Sequence, residues 1–278
     1  MRVERHDTET STSEVARRPP SPALRPYLLA APEGWEQSRG QDVRLREVPY
    51  PGIPLILGLG GPWTVEDPDG RADLHDCFVA GLHTRPALVS GPSAWACIEL
   101  RLSPLGAHRL LGLPMHELAN RTIELDDVLP ASGELTDRPR ETSSWAERFD
   151  LVEAFLTRRL VHSRPLSPGV EWSWHHLRRT YGRVPIGHLA DELGWSHRRL
   201  IARFREQIGV APKTLARVIR FDRAAAALRE PDRRQLAEIA FDCGYFDQAH
   251  LNRDFRELAG TTPSAFLAAG LESGGVAA

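Results

Sequence analysis

Between Pro185 and Phe266 the apolar and polar positions run through one pattern twice. The first copy holds Ile186, Leu189, Ala190, Leu193, Gly194 and Trp195, then Leu200, Phe204, Gly209 and Pro212. The second holds Leu236, Ile239, Ala240, Cys243, Gly244 and Tyr245, then Leu251, Phe255, Gly260 and Pro263. The offset is about 50 residues before the turn and about 51 after it, so the second copy has one extra turn residue; such repetition points to one supersecondary unit used twice. Ile186, Leu189, Ala190 and Leu193 fall on one face of a helix. Gly194 stands where that helix must stop, because glycine accepts the left-handed conformation past a helix end. Ser196 and Asp247 then read as N-caps, each opening a second helix with an inward i, i+4 pair: Leu200 with Phe204, and Leu251 with Phe255. Two short helices joined by a glycine-containing turn form a helix-turn-helix, whose second helix enters the DNA major groove.

The N-terminal half has a different rhythm. Short strand-like stretches cover Val43 to Val48, Leu55 to Leu59, Trp63 to Val65, Cys77 to Val79, Ala87 to Val89 and Trp95 to Leu102. Turn signals at Gly60-Gly61-Pro62, Pro68-Asp69-Gly70 and Gly91-Pro92 separate them, and many short strands with frequent turns predict a small barrel or sandwich. Helices are expected at Pro104 to Leu111 (capped by Ser103), Pro114 to Asn120, Leu125 to Leu129, and Ser143 to Val161. The last has Trp145, Phe149, Val152, Leu156 and Leu160 on one side, suited to packing on its own domain, with a dimer contact as the alternative. The fold class is therefore α+β. Residues 1–22, rich in polar residues and proline, are expected to be disordered. Residues 23–162 form the β-rich domain, 163–169 a proline- and glycine-containing linker, 170–270 the all-α domain, and 271–278 a disordered tail. The lead helix of the all-α part is expected over Glu171 to Tyr181.

Composition changes this picture little. The chain of 278 residues has a net charge of −2, which hides an asymmetry: Glu171 to Gly270 carries roughly 16 basic against 12 acidic residues, a modest basic bias. Lys213 is its one lysine. No run of about 18 apolar residues is present, so no membrane span is expected. Met1 to Pro22 lacks the apolar core of a secretory signal, so the expected location is the cytoplasm. Cys77, Cys97 and Cys243 form neither a C-x-x-C pair nor a zinc spacing; buried, inert thiols are expected, with a thiol sensor at Cys77 or Cys97 as the alternative.

The outward faces of the second helices suit DNA. The first would present Arg198, Arg199, Ile201, Ala202 and Arg205; the second Gln248, Ala249, Asn252, Arg253 and Arg256. Arginine grips guanine edges with two bonds, and Gln or Asn grips adenine likewise. Base reading is thus expected of Arg198, Ile201, Ala202, Gln248, Ala249, Asn252 and Arg253. Arg199, Arg205 and Arg256 suit phosphates, which position the helix without reading sequence.

The run Ile239-Ala240-Phe241-Asp242-Cys243-Gly244-Tyr245, then His250-Leu251-x-Arg253-x-Phe255 and Gly260-x-Thr262-Pro263, resembles the signature of AraC-type transcriptional regulators. The resemblance covers roughly residues 170 to 268. It implies two helix-turn-helix units joined by a long central helix, here about Pro212 to Leu228, with both recognition helices inserted into successive major-groove segments. The first copy departs from the family pattern: Ala202 stands where an arginine is frequent, and the arginine is Arg203. The N-terminal half resembles the cupin-like sensor domains of this family, through Val79-Ala80-Gly81-Leu82-His83-Thr84-Arg85-Pro86 and Arg101-Leu102-x-Pro104-x-Gly106-Ala107-x-Arg109-Leu110-Leu111-Gly112.

Further chemistry is sparse. His75, His83, Glu99 and His108 include no H-x-H pair, so no metal site is expected, and no cofactor is called for. A ligand pocket lined by Trp63, Phe78, His83, Arg85, Trp95 and Glu99 and a barrel simply filled by these side chains are both open. Gly58-x-Gly60-Gly61 is followed by a Pro-Trp strand, unlike a dinucleotide motif, and no nucleophile has a matching base. The expected protein is a DNA-binding transcription factor and not an enzyme. Its expected partners are a double-stranded DNA operator, a small-molecule effector, RNA polymerase if it activates, and a second copy of the chain. The competing readings are a cupin-type enzyme fused to a DNA-binding half, and an effector-independent dimeric regulator.

Overall fold

The computed structural model describes residues 1–9, 11–230, 234–269 and 276–277. The β-rich half contains β1 (Arg2–Asp7), β2 (Thr12–Arg17), β3 (Glu33–Arg39), β4 (Val43–Glu47), β5 (Ile53–Gly60), β6 (Trp63–Glu66), β7 (Ala72–His75), β8 (Cys77–Ala80), β9 (Ala87–Gly91), β10 (Trp95–Leu102) and β11 (Thr122–Glu124). A two-residue β12 (Val276–Ala277) comes from the far end of the chain. One antiparallel sheet has the order β1-β2-β3-β10-β5-β8-β11, the other β12-β4-β9-β6-β7.

Strand alternation gives the larger sheet two apolar faces. Ile53, Leu55 and Leu57 of β5, with Ile98 and Leu100 of β10, are fully buried in the main core. There they meet α1 (Pro104–Leu111), followed by the short α2 (Leu125–Val128) and α3 (Gly133–Thr136), and then α4 (Trp145–Val161). Ile56 and Phe78 point the other way and join Trp63, Val65, Val89 and Trp95 of both sheets in a second cluster. On α4, Trp145, Phe149, Val152, Phe155, Leu156 and Leu160 are buried within the chain's own core. The Trp145 ring fits because β3 offers Gly34, where a Cβ would come within 2.3 Å of it. Ser103 caps α1 as expected, accepting the Gly106 N–H at 3.0 Å.

The helical half consists of α5 (Pro168–Arg179), α6 (Ile186–Glu192), α7 (His197–Ile208), α8 (Pro212–Arg229), α9 (Leu236–Asp242), α10 (Gln248–Leu258) and α11 (Pro263–Ala268). Its core is continuous with that of the β-rich half: Leu200, Phe204, Phe221, Phe255 and Phe266 belong to the same cluster as Leu55 and Leu100.

Several expectations differ from what is observed. Residues 1–22 hold the hairpin of β1 and β2, where polar composition predicts disorder. The charges are paired across strands: Arg17 binds Glu4 and Glu33, and Arg18 binds Asp150 and Glu153 of α4. Val15 and Ala16 are buried beneath them. The linker expected over 163–169 loses Pro168 and Gly169 to α5, since proline is tolerated in a first helical turn. The buried face of α5 is Val170, Trp174 and Leu177, while Trp172 stays partly exposed. The helix expected over Pro114 to Asn120 is only a 3-10 turn at Met115–Glu117. Of the tail expected to be disordered, Val276 and Ala277 pair with Arg46 and Leu45 of β4; residues 271–275 and 278 lie outside the described residues.

Candidate nucleic-acid interface

Each repeat forms a pair of helices around a glycine turn. Gly194 and Gly244 take positive φ, +59° and +82°, at the ends of α6 and α9. The caps form at the expected residues: Ser196 accepts the Arg199 N–H at 3.2 Å, and Asp247 accepts the His250 N–H at 2.7 Å. Both inward pairs are fully buried, Leu200 with Phe204 and Leu251 with Phe255. This leaves the opposite faces of α7 and α10 to solvent.

On α7, Arg198, Arg199, Ile201, Ala202 and Arg205 are exposed. The Arg199 guanidinium lies 4.6 Å from the centre of the Trp195 ring, which fixes its stem against the turn. On α10, Gln248, Ala249, Arg253 and Arg256 are exposed and Asn252 is half-buried. All ten DNA-facing candidates thus retain free surface on two short helices of one chain.

The two helices are held differently. The C-terminal end of α7 packs against α1 and the 3-10 turn at Met115–Glu117, in the β-rich half. Gln207 is buried there and accepts the Ser167 N–H at 3.1 Å. Gly209, at φ +105°, lies so close to this turn that a Cβ would sit 3.1 Å from the Met115 carbonyl oxygen. The helix α10 instead packs mainly on α8 and α9. Arg217 of α8 donates to Asp254 at 2.8 Å and also binds Glu257. The Asp254 side chain is 4% exposed, so this is an ion pair in the interior of the domain. Sequence reasoning missed Arg217 and Asp254; the one available signal is a carboxylate directly beside the buried Phe255.

Of the six residues proposed for a pocket, four share the face between the sheets: Glu99 is paired with Ile56, and Ile56 with Phe78, on the side where Trp63 and Trp95 pack. Trp63, Phe78 and Trp95 pack together, the two indoles edge to face with centres 4.9 Å apart. His83 faces Asp67 at 3.9 Å, and burial lowers its pKa below the usual imidazole value. Arg85 is exposed. Glu99 binds Arg101 at 2.8 Å, beside Tyr50 and Glu47. The indole N–H groups of Trp35, Trp63 and Trp95 and the Tyr50 hydroxyl are buried without a hydrogen-bond partner among the described residues. A cleft of about 430 Å³ lies elsewhere, between the edges formed by β7 and β11, lined by Arg71, His75, Arg121 and Glu124 among others. No group of three or more metal-ligating side chains is found among the described residues. Burial pushes the Cys77 thiol up to about 11 and raises Cys97 further, which favours the protonated thiol at neutral pH.

A cluster of charged side chains lies where the β-rich half meets α8. Glu47, Glu99, Arg101 and Tyr50 face Asp222 and Arg229 there. Glu47 and Asp222 are both exposed by surface area, so their desolvation is partial. Desolvation raises Glu47 to about 7, helped by the neighbouring Glu99 charge, and raises Asp222 to about 6 against the opposing pull of Arg229.

Comparison with known proteins gives two family matches. Residues 189–269 match a helix-turn-helix domain, and residues 16–124 match a domain of unknown function, DUF6597. No match is found among curated proteins. Among solved structures, ToxT from Vibrio cholerae O395 is 11% identical, with 94% of this chain and 98% of that one covered and a TM-score of 0.46. ToxT from Vibrio cholerae strain SCE256, solved with an unsaturated fatty acid bound, is 11% identical, with 95% and 97% covered and a TM-score of 0.48. The C-terminal domain of AraT, a response regulator from Geobacillus stearothermophilus, is 23% identical, with 36% and 84% covered and a TM-score of 0.34.

Proposed function

We propose that residues 189–269, which match a helix-turn-helix domain, form an AraC-type DNA-binding domain of a transcription regulator, and that α7 and α10 are both its recognition helices. They enter successive major-groove segments of one operator. Arg198, Ile201, Ala202, Gln248, Ala249, Asn252 and Arg253 are the base-reading set, and Arg199, Arg205 and Arg256 hold phosphates. One observation carries this reading: two helices in register, each capped at its start, burying a Leu-Phe pair and leaving an arginine- and amide-rich face uncovered. The chain acts as a regulator, not a catalyst.

The β-rich half senses a small molecule in this proposal. Support comes from the unpartnered donors of Trp35, Trp63, Trp95 and Tyr50, because a buried N–H or O–H without an acceptor is costly and a ligand acceptor would relieve it. The route to DNA runs through the contact of α7 with α1 and Met115. An effector that favours one seating of that contact shifts the α7 population accordingly.

Selection of bound duplexes from a random library tests the DNA reading. A bipartite site, its halves about one helical turn apart, is the expected result; a single compact site would leave one helix idle and sink paired insertion. Thermal shifts against metabolite panels test the sensor reading, since a specific ligand raises apparent stability by mass action.

A further inference from the structure

The two repeats differ by one residue, and the alignment identifies it. In the first copy the cap Ser196 directly follows the aromatic Trp195. In the second, Phe246 intervenes between the buried Tyr245 and the cap Asp247. Phe246 is 93% exposed, the highest value among the described large apolar side chains. Its backbone is nonetheless fixed: its N–H donates to Nδ1 of His250 at 3.4 Å, and the His250 ring stands edge-on to Tyr245 with centres 5.1 Å apart. The turn therefore holds a benzyl group out in water at the N-terminal end of α10. Arginines and carboxylates share this end of the domain, Asp247 directly following Phe246. The Arg183 side chain lies against Gly244, 3.0 Å from where a Cβ would stand, and Arg253 is exposed one to two turns along the helix.

A phenyl ring in water forgoes roughly 2–3 kcal/mol relative to burial, and at 93% exposure it is left almost uncovered by the described residues. The ring stands at the start of the helix whose exposed face carries Gln248, Arg253 and Arg256, which favours a polyanion over an apolar protein groove as the surface that covers it. The N-terminal residues of a recognition helix are those that reach base edges, and the apolar group a major groove displays is the thymine methyl.

We propose that Phe246 is a specificity-determining residue of the second half-site, placing its ring against a thymine C5-methyl at the start of α10. The proposal rests on the reading of α10 as a recognition helix. It assigns the extra turn residue a function the first copy lacks.

The test uses the full chain and its selected duplex, with each thymine of the second half-site replaced singly by uracil, which removes only the methyl. One such replacement is expected to weaken wild-type binding about 4-fold, the worth of one buried methyl. The Phe246→Ser variant should bind the thymine duplex about 4-fold more weakly or worse, and should no longer distinguish uracil from thymine at that position. Its melting temperature should match wild type, because nothing in the fold rests on the ring. Wild-type indifference to uracil throughout the half-site overturns the proposal. So does a variant that keeps full DNA affinity but loses transcriptional activation, which would assign the ring to a protein partner. Failure of the wild type to select any duplex would instead remove the DNA-binding reading itself.

Discussion

The helix pairs α6–α7 and α9–α10 are built from the same pattern and anchored by different means. The second is secured from within its own domain, by Arg217 reaching across from α8 to the buried Asp254. The position equivalent to Asp254 in the first copy is Arg203, an exposed residue paired with Glu206. The first pair also leans outward: Gly209 fits against Met115 of the β-rich half, while Gln207 bonds Ser167, the residue before α5. Identical local geometry can thus be given a fixed or a coupled setting by what the far side of the helix touches. A helix anchored through another domain is one that the domain can move.

The largest expected effect breaks the fixed side. Arg217→Ala leaves Asp254 charged and buried, and should cost about 2–3 kcal/mol, below the full range for an interior pair because Arg217 itself is partly exposed. Chemical denaturation should show this loss, and hydrogen exchange should place it in α10 and not in α7. Equal deprotection of both helices would mean that the two pairs are not separately anchored. Next comes DNA affinity. Arg253→Ala should lose ~1–3 kcal/mol on the cognate duplex if the guanidinium grips a base. Arg198→Ala should lose less, because the first copy departs from the family pattern. Equal losses for Arg253→Ala on cognate and random DNA would make it a phosphate contact.

The equivalent glycines sharpen the contrast. Gly209→Ala combines a backbone angle that L residues avoid with a contact of 3.1 Å to Met115, whereas a Cβ at Gly260 (φ +66°) would meet only ordinary contacts. Gly209→Ala should fall at the upper end of ~1–3 kcal/mol and Gly260→Ala at the lower end, read as melting temperatures. The smallest effect concerns the charged cluster under α8. Glu47 and Asp222, though exposed, have folded-state pKa values raised to about 7 and about 6, above the usual carboxylate range. The folded chain therefore binds more protons than the unfolded chain across that interval. The contribution of these two groups to stability is complete below about pH 4 and declines as pH rises to about 7. Glu47→Gln should flatten this part of the pH profile; a profile identical to wild type would show that Glu47 is freely solvated.

The helical half was legible because its signals are local and doubled. Gly194 and Gly244, Ser196 and Asp247, and the pairs ending in Phe204 and Phe255 each act within one turn of chain, and each appears where the pattern puts it. The β-rich half was legible only as a class. Strands β3 and β7 and the β1–β2 hairpin went unanticipated because EGWEQSR, ADLH and RVERHD contain too few apolar residues to show alternation. Their stability comes from partners far along the chain, as with Arg18 and α4. The proposed pocket was legible only in part for a related reason: Trp63, Phe78 and Trp95 meet across two sheets, with Glu99 on the same face beside Ile56, while Arg85 is exposed.

By itself the sequence determined the repeat, the caps, the glycine turns, the inward Leu-Phe pairs and the outward faces of the second helices, because helix periodicity and capping are fixed by neighbours within about four residues. Only the tertiary structure decided which helix is bolted to its own domain and which leans on the other. It also decided that Glu47 and Asp222 share a charged cluster, and that Phe246 stands almost uncovered. Those outcomes depend on side chains brought together from distant parts of the chain, and spacing along the sequence carries no record of them.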